Sequence, residues 1–413
     1  MEVESGGVLT VISRQRLTGP TNGSSSYLMR LMKLAKAQGY KIKLIVPSPA
    51  VFGRTPFLRI HPELSELCDL SMRGALRLGS WRLALSWNVW VLGLIGTLIR
   101  LLNKIFNLKI KDNKQPYAIG VRWTQADHAY VKRKFDTKTS KLMLDYAFQT
   151  EALQSLPVGK FSTAVVMHDL FHSRTGQFDP ESAHDRVNML TKQEEIELLS
   201  KSDVVLAIQS AEADFVRAHC PETQVIVTPM STEAVEAPQP GTNGTLLFVG
   251  SSAPPNIIGL QWFISEVWPL VLQSCPSTTL RVAGSVSDAF SDCQDHQIEF
   301  LGLLDSLENE YTRAGIVISP LTQGSGLKIK LVESLGRGKM VVATTITTQG
   351  VEALCKDAVV ITDDPHEFAS GICRCLHDQE LRREVGDKAL QVARLHFSDE
   401  AALHEFRDWL HAA

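Results

Sequence analysis

The sequence predicts two α/β units, each a doubly wound parallel sheet flanked by helices, and three observations carry this reading. A chain of 413 residues has room for two or three domains at roughly 100–200 residues each. Apolar, β-branched runs alternate with helix-period segments in both halves, the pattern that helical crossovers between parallel strands produce. Between the halves, Ser231 to Gly244 is rich in Pro, Gly, Thr and Glu and lacks periodicity, as a linker does. The division falls near residue 240, giving units over 1–235 and 240–395 and a terminal helix over 396–413.

The first unit opens with Gly7 to Ile12, a run suited to a buried strand, and continues through a polar segment, Arg14 to Ser26, that contains Gly19, Pro20 and Gly23. Leu28, Leu31, Met32 and Ala35 then mark one face of a helix that Gly39 stops, and Lys41 to Val46 reads as the next strand. Strand, glycine loop, helix and strand in this order make a βαβ unit, so the pair is parallel. A later strand ends in Val165-Val166-Met167-His168-Asp169.

The same grammar returns in the second half. Strands are expected at Thr245–Gly250, Thr279–Gly284, Ile298–Gly302, Gly315–Pro320, Met340–Ala343 and Ala358–Ile361, with helices at Ile257–Leu272, near Ser306–Arg313 and at Ile329–Gly336. Both halves are therefore Rossmann-like.

Leu83 to Ile99 departs from a plain α/β pattern: it is mostly apolar, carries Trp87 and Trp90, and lies between Arg73, Arg77, Arg82 and Arg100, Lys104, Lys109. Within an insert over 74–110, a helix lying in a membrane interface suits the Trp residues and basic flanks. A buried helical hairpin beside the first sheet and a transmembrane span are the two alternatives. The span is disfavoured by Ser86, Asn88, Gly93, Gly96 and Thr97 and by a length short of about 20 apolar residues.

Composition narrows the function. Lys plus Arg (42) nearly balance Asp plus Glu (45), so the chain exerts no overall attraction on nucleic acid. Seven Cys without a Cys-x-x-Cys pair make a zinc ribbon or disulfide framework a poor fit and suit reduced thiols in a cytosol. The amino terminus, Met1 to Gly7, is acidic where a signal peptide is basic, so a cytoplasmic protein is expected, peripheral at the inner face of the plasma membrane if the insert meets lipid.

Pro320 to Lys339 is the most informative stretch. A strand ends at Pro320, a turn with Gly324, Ser325 and Gly326 follows, and a helix begins near Leu327. Free N–H groups of such a turn and of the first helical turn bind phosphate. Lys330 lies three residues before Glu333 on one helix face, offering a cation for a diphosphate and a carboxylate for sugar hydroxyls. The same spacing also describes an exposed Lys–Glu pair on a helix capped by a turn.

Gly324 to Thr344 resembles the donor-site signature of GT-B glycosyltransferases of family 4. Leu247–Ser251, Pro255-Asn256, Val267–Leu270 and Phe300–Gly302 fall in that family's order and spacing, so the resemblance is strong over about 245–365. It implies two Rossmann-like domains facing each other across a cleft, and transfer of a sugar from a nucleotide-diphosphate sugar to an acceptor hydroxyl, with retention and no metal. Saccharides or lipid-linked saccharides are the implied acceptors, and cell-surface polysaccharide or glycolipid assembly the implied setting. The resemblance further makes Glu333 the second glutamate of an E-x7-E element that holds ribose, places Leu301, Gly302 and Leu303 at the base, and gives Gly324, Ser325, Gly326 and Lys330 the diphosphate and sugar. Gly23 and Gly250 would approach the donor as well. Two departures stand out: Ser325 occupies the first glutamate's position, and Asn256 lies where the family's lysine is normally found.

His168 and Asp169 end a strand where the family often places a His near donor sugar and acceptor, which makes them, with Lys330, the expected catalytic residues. A His capping a strand end is equally a structural device. Arg174 is open to two readings, a phosphate contact or a solvated loop residue. Gly19 to Gly23 lacks the Gly-x-Gly-x-x-Gly spacing of a dinucleotide loop. No Asp-x-Asp occurs and the His residues lack zinc spacing, so neither metal nor cofactor is expected. A sugar-nucleotide epimerase and a non-catalytic membrane partner on the same fold are the rival readings.

Overall fold

The computed structural model describes residues 7–106, 110, 117–174, 186–324 and 326–412, without the side chains of Asn103, Lys104, Arg174 and Asn188. Ser325 and Lys109 thus lie outside the described residues. The chain divides into two units, the first made of Met1–Ala207, Glu212–Val227 and Glu405–Ala413, the second of Ile208–Ala211 and Thr228–His404.

In chain order the first unit contains β1 (Val8–Ile12), α1 (Gly23–Ala37), β2 (Lys41–Val46), β3 (Phe57–Arg59), α2 (Pro62–Leu67), β4 (Asp69–Met72), β5 (Ala75–Leu78), β6 (Trp81–Ala84) and α3 (Trp87–Phe106). It continues with α4 (Gln125–Lys134), β7 (Thr139–Asp145), β8 (Ser162–Met167), α5 (Arg186–Met189), α6 (Lys192–Leu199), β9 (Val204–Ala207), α7 (Ser210–His219) and β10 (Gln224–Val227). Seven strands form one parallel sheet in the order β10-β9-β8-β7-β1-β2-β4. Its inner strands are buried on both faces, with Ile12, Leu142, Leu144, Val165 and Val205 in one continuous core, which is why they read as unbroken apolar runs. The helix α1 starts earlier than its apolar stripe: Asn22 accepts from Ser25 N and Ser25 returns the bond, a reciprocal cap that makes Gly23 the first helical residue rather than part of a loop.

The insert is not a single helix. β3, β6 and β5 form an antiparallel sheet, so Leu83 and Ala84 are strand and the helix begins only at Trp87. The helix is not buried either: Trp87 is 74 % and Leu94 71 % exposed, which overturns the hairpin alternative. No helix among the described residues is long and apolar enough to cross a membrane.

The second unit runs β11 (Thr242–Val249), α8 (Pro254–Trp262), a π-helical turn over Phe263–Val267, α9 (Trp268–Ser274), β12 (Thr279–Ala283), β13 (Ile298–Gly302), α10 (Glu308–Arg313), β14 (Ala314–Ser319), α11 (Ile329–Gly336) and β15 (Met340–Ala343). After these come α12 (Thr345–Thr348), α13 (Glu352–Cys355), β16 (Val360–Ile361), α14 (Pro365–His377), α15 (Gln379–His396) and α16 (Asp399–Ala402). Its parallel sheet has the order β13-β12-β11-β14-β15-β16, the strand order of a dinucleotide-binding fold. The expected linker belongs to this unit. Buried Arg382 donates to Pro240 O and to Asn243, buried Lys339 to Gln239 O and Ala314 O, and Arg394 to Val235 O and Glu236 O. Three cations thus hold the carbonyls of an aperiodic segment that composition alone marks as loose.

The closing segment is two helices, not one: α16 and then α17 (His404–His411). α17 belongs to the first unit, where Trp409 Nε1 donates to Ser162 Oγ (2.9 Å), Tyr40 Oη to Leu410 O (2.5 Å) and Lys141 Nζ to Ala412 O (2.7 Å).

Candidate active site

In an open parallel sheet, ligands bind outside the carboxyl ends of the strands where the strand order reverses. In the first unit that point lies between β1 and β7, whose ends present Ser13 and Asp145. Asp145 is fully buried and accepts from Ser13 Oγ (2.5 Å), Gln15 Nε2 (2.8 Å) and His168 Nε2 (2.7 Å). Three donors on one carboxylate compensate the desolvation of its charge. The His168 contact also fixes the ring: with Nε2–H given to Asp145, Nδ1 is the nitrogen remaining to accept a hydrogen bond.

Tyr146 stacks on His168 at 4.1 Å between ring centroids, and Tyr27, on the second turn of α1, meets the ring edge-on at 5.5 Å. Tyr146 has φ +74°, a conformation costly for a bulky residue and found where the surroundings enforce it. A clamped imidazole between two aromatic rings is the result. Asp169 has a different role from its neighbour: it is buried, and its Oδ1 accepts from Leu170 N (2.8 Å). The next turn is fixed by buried Glu195, which accepts from Phe171 N, His172 N and His172 Nδ1.

In the second unit the order reverses between β11 and β14, whose ends lead into Gly250 and the Pro320–Lys328 turn. Gly250, Gly284 and Gly302 end β11, β12 and β13 together. Gly284 has φ +103° and its missing Cβ would sit 2.1 Å from Gly250 O, while Gly284 N donates to Gly302 O (2.7 Å). Asn256 lies 3.2 Å from the same construction at Gly250, and its Nδ2 donates to Ser251 O (3.0 Å) and Ser251 Oγ (3.1 Å). Asn256 therefore fastens the loop after β11. Leu301 is half-buried and Leu303 exposed beyond it.

The glycine turn closes against the start of α8, with Pro255 3.6 Å from a Cβ built on Gly324. Gly324 (φ +123°) and Gly326 (φ +74°) have backbone that other residues adopt only under strain. α11 then begins at Lys328 with no side-chain cap and no acidic residue in its first turn, so its leading N–H groups and the helix dipole are available to an anion. Lys328 Nζ donates to Gly326 O (2.7 Å) and Lys330 Nζ to Glu333 Oε2 (2.7 Å). Buried Tyr311 donates to the same Glu333 oxygen at 3.5 Å; burial first, and the Glu333 charge second, push its phenol up, so it stays a donor.

The sequence-expected residues thus fall into two groups: Gly23, His168 and Asp169 in the first unit, and Gly250 through Glu333 in the second. Sequence reading missed Asp145, Tyr146, Gly284 and Tyr311. A carboxylate ending the apolar run Leu142-Met143-Leu144 was the one signal that could have found Asp145. Among the described residues, no group of three or more His, Cys, Asp or Glu could hold a metal ion.

Residues 243–378 match the family model of glycosyl transferases group 1. A protein of the cps region of Klebsiella pneumoniae, itself uncharacterized, is 29 % identical over 169 residues, which is 38 % of this chain and 44 % of that one. The match thus spans less than half of that relative. Among solved structures, TarM aligns over 100 % of both chains with TM-score 0.68 at 11 % identity. Sucrose-phosphate synthase from Thermosynechococcus elongatus covers 97 % of this chain and 98 % of its own with TM-score 0.65 at 15 % identity. Anabaena HepE in complex with UDP-glucose covers 98 % and 99 % with TM-score 0.62 at 12 % identity. Residues 243–378 are a glycosyltransferase domain of group 1, on a chain whose two Rossmann-like units have the GT-B fold.

Proposed function

We propose that this chain transfers a sugar from a nucleotide-diphosphate sugar to a hydroxyl of a saccharide acceptor, with retention of configuration and no obligatory metal. The observation that carries the reading is the uncapped start of α11 behind the Gly324–Gly326 turn, with Lys330 in its first turn and Glu333 in the next. The negative charge that develops in such a transfer is on the leaving diphosphate. Backbone N–H groups and a lysine already in place there stabilise that charge without reorganisation.

Glu333 takes the ribose hydroxyls, and on binding it exchanges part of its contact with Lys330, freeing the ammonium for phosphate. His168, with Nδ1 as acceptor, takes a hydrogen bond from a hydroxyl of the donor sugar or the acceptor. The complexes of HepE with UDP-glucose and of TarM with UDP support a uridine nucleotide as the first donor to try. The cps-region relative supports polysaccharide assembly. Contact of residues 83–99 with a membrane surface, on the cytoplasmic side, would bring the enzyme to a lipid-linked saccharide.

The test is titration with UDP and UDP-glucose by calorimetry, followed by release of free UDP with and without saccharide acceptors in EDTA. Binding, and acceptor-dependent release that survives EDTA, is the expected result. Release abolished by EDTA and restored by Mg²⁺ would refute the metal-free mechanism. Tight nucleotide-sugar binding with no acceptor-dependent release from a broad saccharide panel would refute transfer.

A further inference from the structure

The sheet β3-β6-β5 presents one face to the protein and the other to solvent, and its register assigns every side chain. Phe57 pairs with Leu83 and Leu83 with Leu76; two residues along, Arg59 pairs with Trp81 and Trp81 with Leu78. Directly opposed residues and residues two apart share a face, so these six side chains form one surface. The edge-to-face contact of Phe57 with Trp81 at 5.8 Å fits that assignment. The opposite face carries Leu58, Arg82 and Ala84, each 5 % exposed. The pattern is thus inverted for a protein in water: Phe57 is 47 %, Leu76 47 % and Leu78 53 % exposed on the outer side.

β6 passes directly into α3, where Trp90 Nε1 donates to Ala84 O (2.8 Å). The helix is seated at its start, with Val89 buried and Gly93 close to Arg54 O. Beyond that, Leu94, Ile95, Leu98, Leu101, Ile105 and Phe106 are exposed, apolar on more sides than a surface helix shows. From Leu70 to Lys111 the sequence has seven Lys and Arg and no Asp or Glu. Arg73 and Arg82 are used inside the fold; Arg59 on the outer face of the sheet and Arg100 on α3 stay exposed, while Arg77, paired with Arg82, is exposed on the opposite face.

We propose that the outer face of this sheet docks on an anionic lipid bilayer together with α3, the sheet supplying a preformed apolar platform and the arginines the attraction to headgroups. This deepens, and rests on, the membrane contact proposed above for 83–99. Charge selects the occupant. A second copy of the chain set against this surface would bring like charges together without an acid from the same segment to meet them, whereas an anionic surface gains from each exposed cation.

Flotation of the full chain with vesicles of phosphatidylcholine alone or with phosphatidylglycerol tests this, using Leu76→Ser/Leu78→Ser on the sheet and Leu94→Ser/Leu98→Ser on the helix. Melting and UDP-glucose binding serve as controls of the fold. The expected result is flotation of the wild type on the anionic vesicles and a loss of about tenfold or more in partitioning for each double variant. A folded sheet variant that floats like the wild type, while the helix variant does not, overturns the platform and leaves the helix contact standing. A wild type that stays in the supernatant removes the membrane contact itself. A dimer in sedimentation that the sheet variant abolishes, without flotation, assigns the face to a second copy and overturns the proposal as well.

Discussion

Glu333→Gln separates a ligand-binding role from a structural one, because the two differ in expected size. In the free protein Glu333 Oε2 accepts from Lys330 Nζ at 2.7 Å and from Tyr311 at 3.5 Å. The Lys330–Glu333 pair has i,i+3 spacing with side chains 36 % and 23 % exposed. Pairs of this kind contribute about 0.2–0.5 kcal/mol, and solvent screens them further. Glutamine retains an oxygen for the Tyr311 hydroxyl, so unfolding should move by less than about 1 kcal/mol. A carboxylate that takes ribose hydroxyls contributes about 1.5–3 kcal/mol as charged hydrogen bonds. That corresponds to roughly ten- to 150-fold in Kd for the nucleotide sugar. Calorimetric titration beside a thermal melt reads both quantities. An unchanged Kd in a folded variant would remove Glu333 from the donor site, and a large fall in melting temperature with intact affinity would make the residue structural.

Three further outcomes follow from the same geometry. Asp145→Asn offers amide hydrogens to a site where three donors converge, so it should cost about 1–3 kcal/mol of stability; by releasing the His168 tautomer it should also lower kcat about tenfold or more with KM for the donor little changed. A purely structural role would lower the melting temperature and leave kcat per folded molecule intact. Gly284→Ala combines φ +103° with a Cβ 2.1 Å from Gly250 O, and should destabilise by roughly 3–5 kcal/mol; a melt within a few degrees of wild type would contradict the glycine junction. Lys339 is pushed down to about 8, by burial first and then by Arg382 and Arg337. Between that value and its ordinary one the unfolded chain binds more protons than the folded, so wild-type stability should rise with pH by about 1.4 kcal/mol per unit from pH 8 to 10 relative to Lys339→Met. A pH-independent difference would show that Lys339 is not held as described.

The strands of the second unit were legible one by one as apolar runs, and so was α11 behind its glycine turn, whereas α12 to α15 were not read. The first unit was legible only at its βαβ start and at the strand that leads into His168-Asp169. β5 and β6 escaped because they are four residues each and carry their apolar side chains outward, so neither length nor alternation distinguishes them from a helical insert. The anchoring of the expected linker was illegible for another reason: the cations that fix it, Lys339, Arg382 and Arg394, come about 100 residues or more later, and composition does not see such distances. In the site, the glycines and Lys330–Glu333 were readable because their chemistry is local. His168 was readable at its strand end, but Asp145 with Ser13 and Gln15 was not, since those two meet it across 132 and 130 residues of chain.

The two units satisfy their polar groups in opposite ways. At the first sheet's reversal point each group is already matched: Asp145 has its three donors, His168 its carboxylate and two aromatic neighbours, Phe171 and His172 their glutamate. A network of that kind holds its members rigid and has little left to give a ligand except the far nitrogen of the imidazole. At the second sheet's reversal point the helix start is uncapped and the turn is built from positive-φ glycines, so donors stand without side-chain acceptors and a bound anion would complete them. The second unit therefore offers donors that an anion completes, whereas the first offers a network that is already closed.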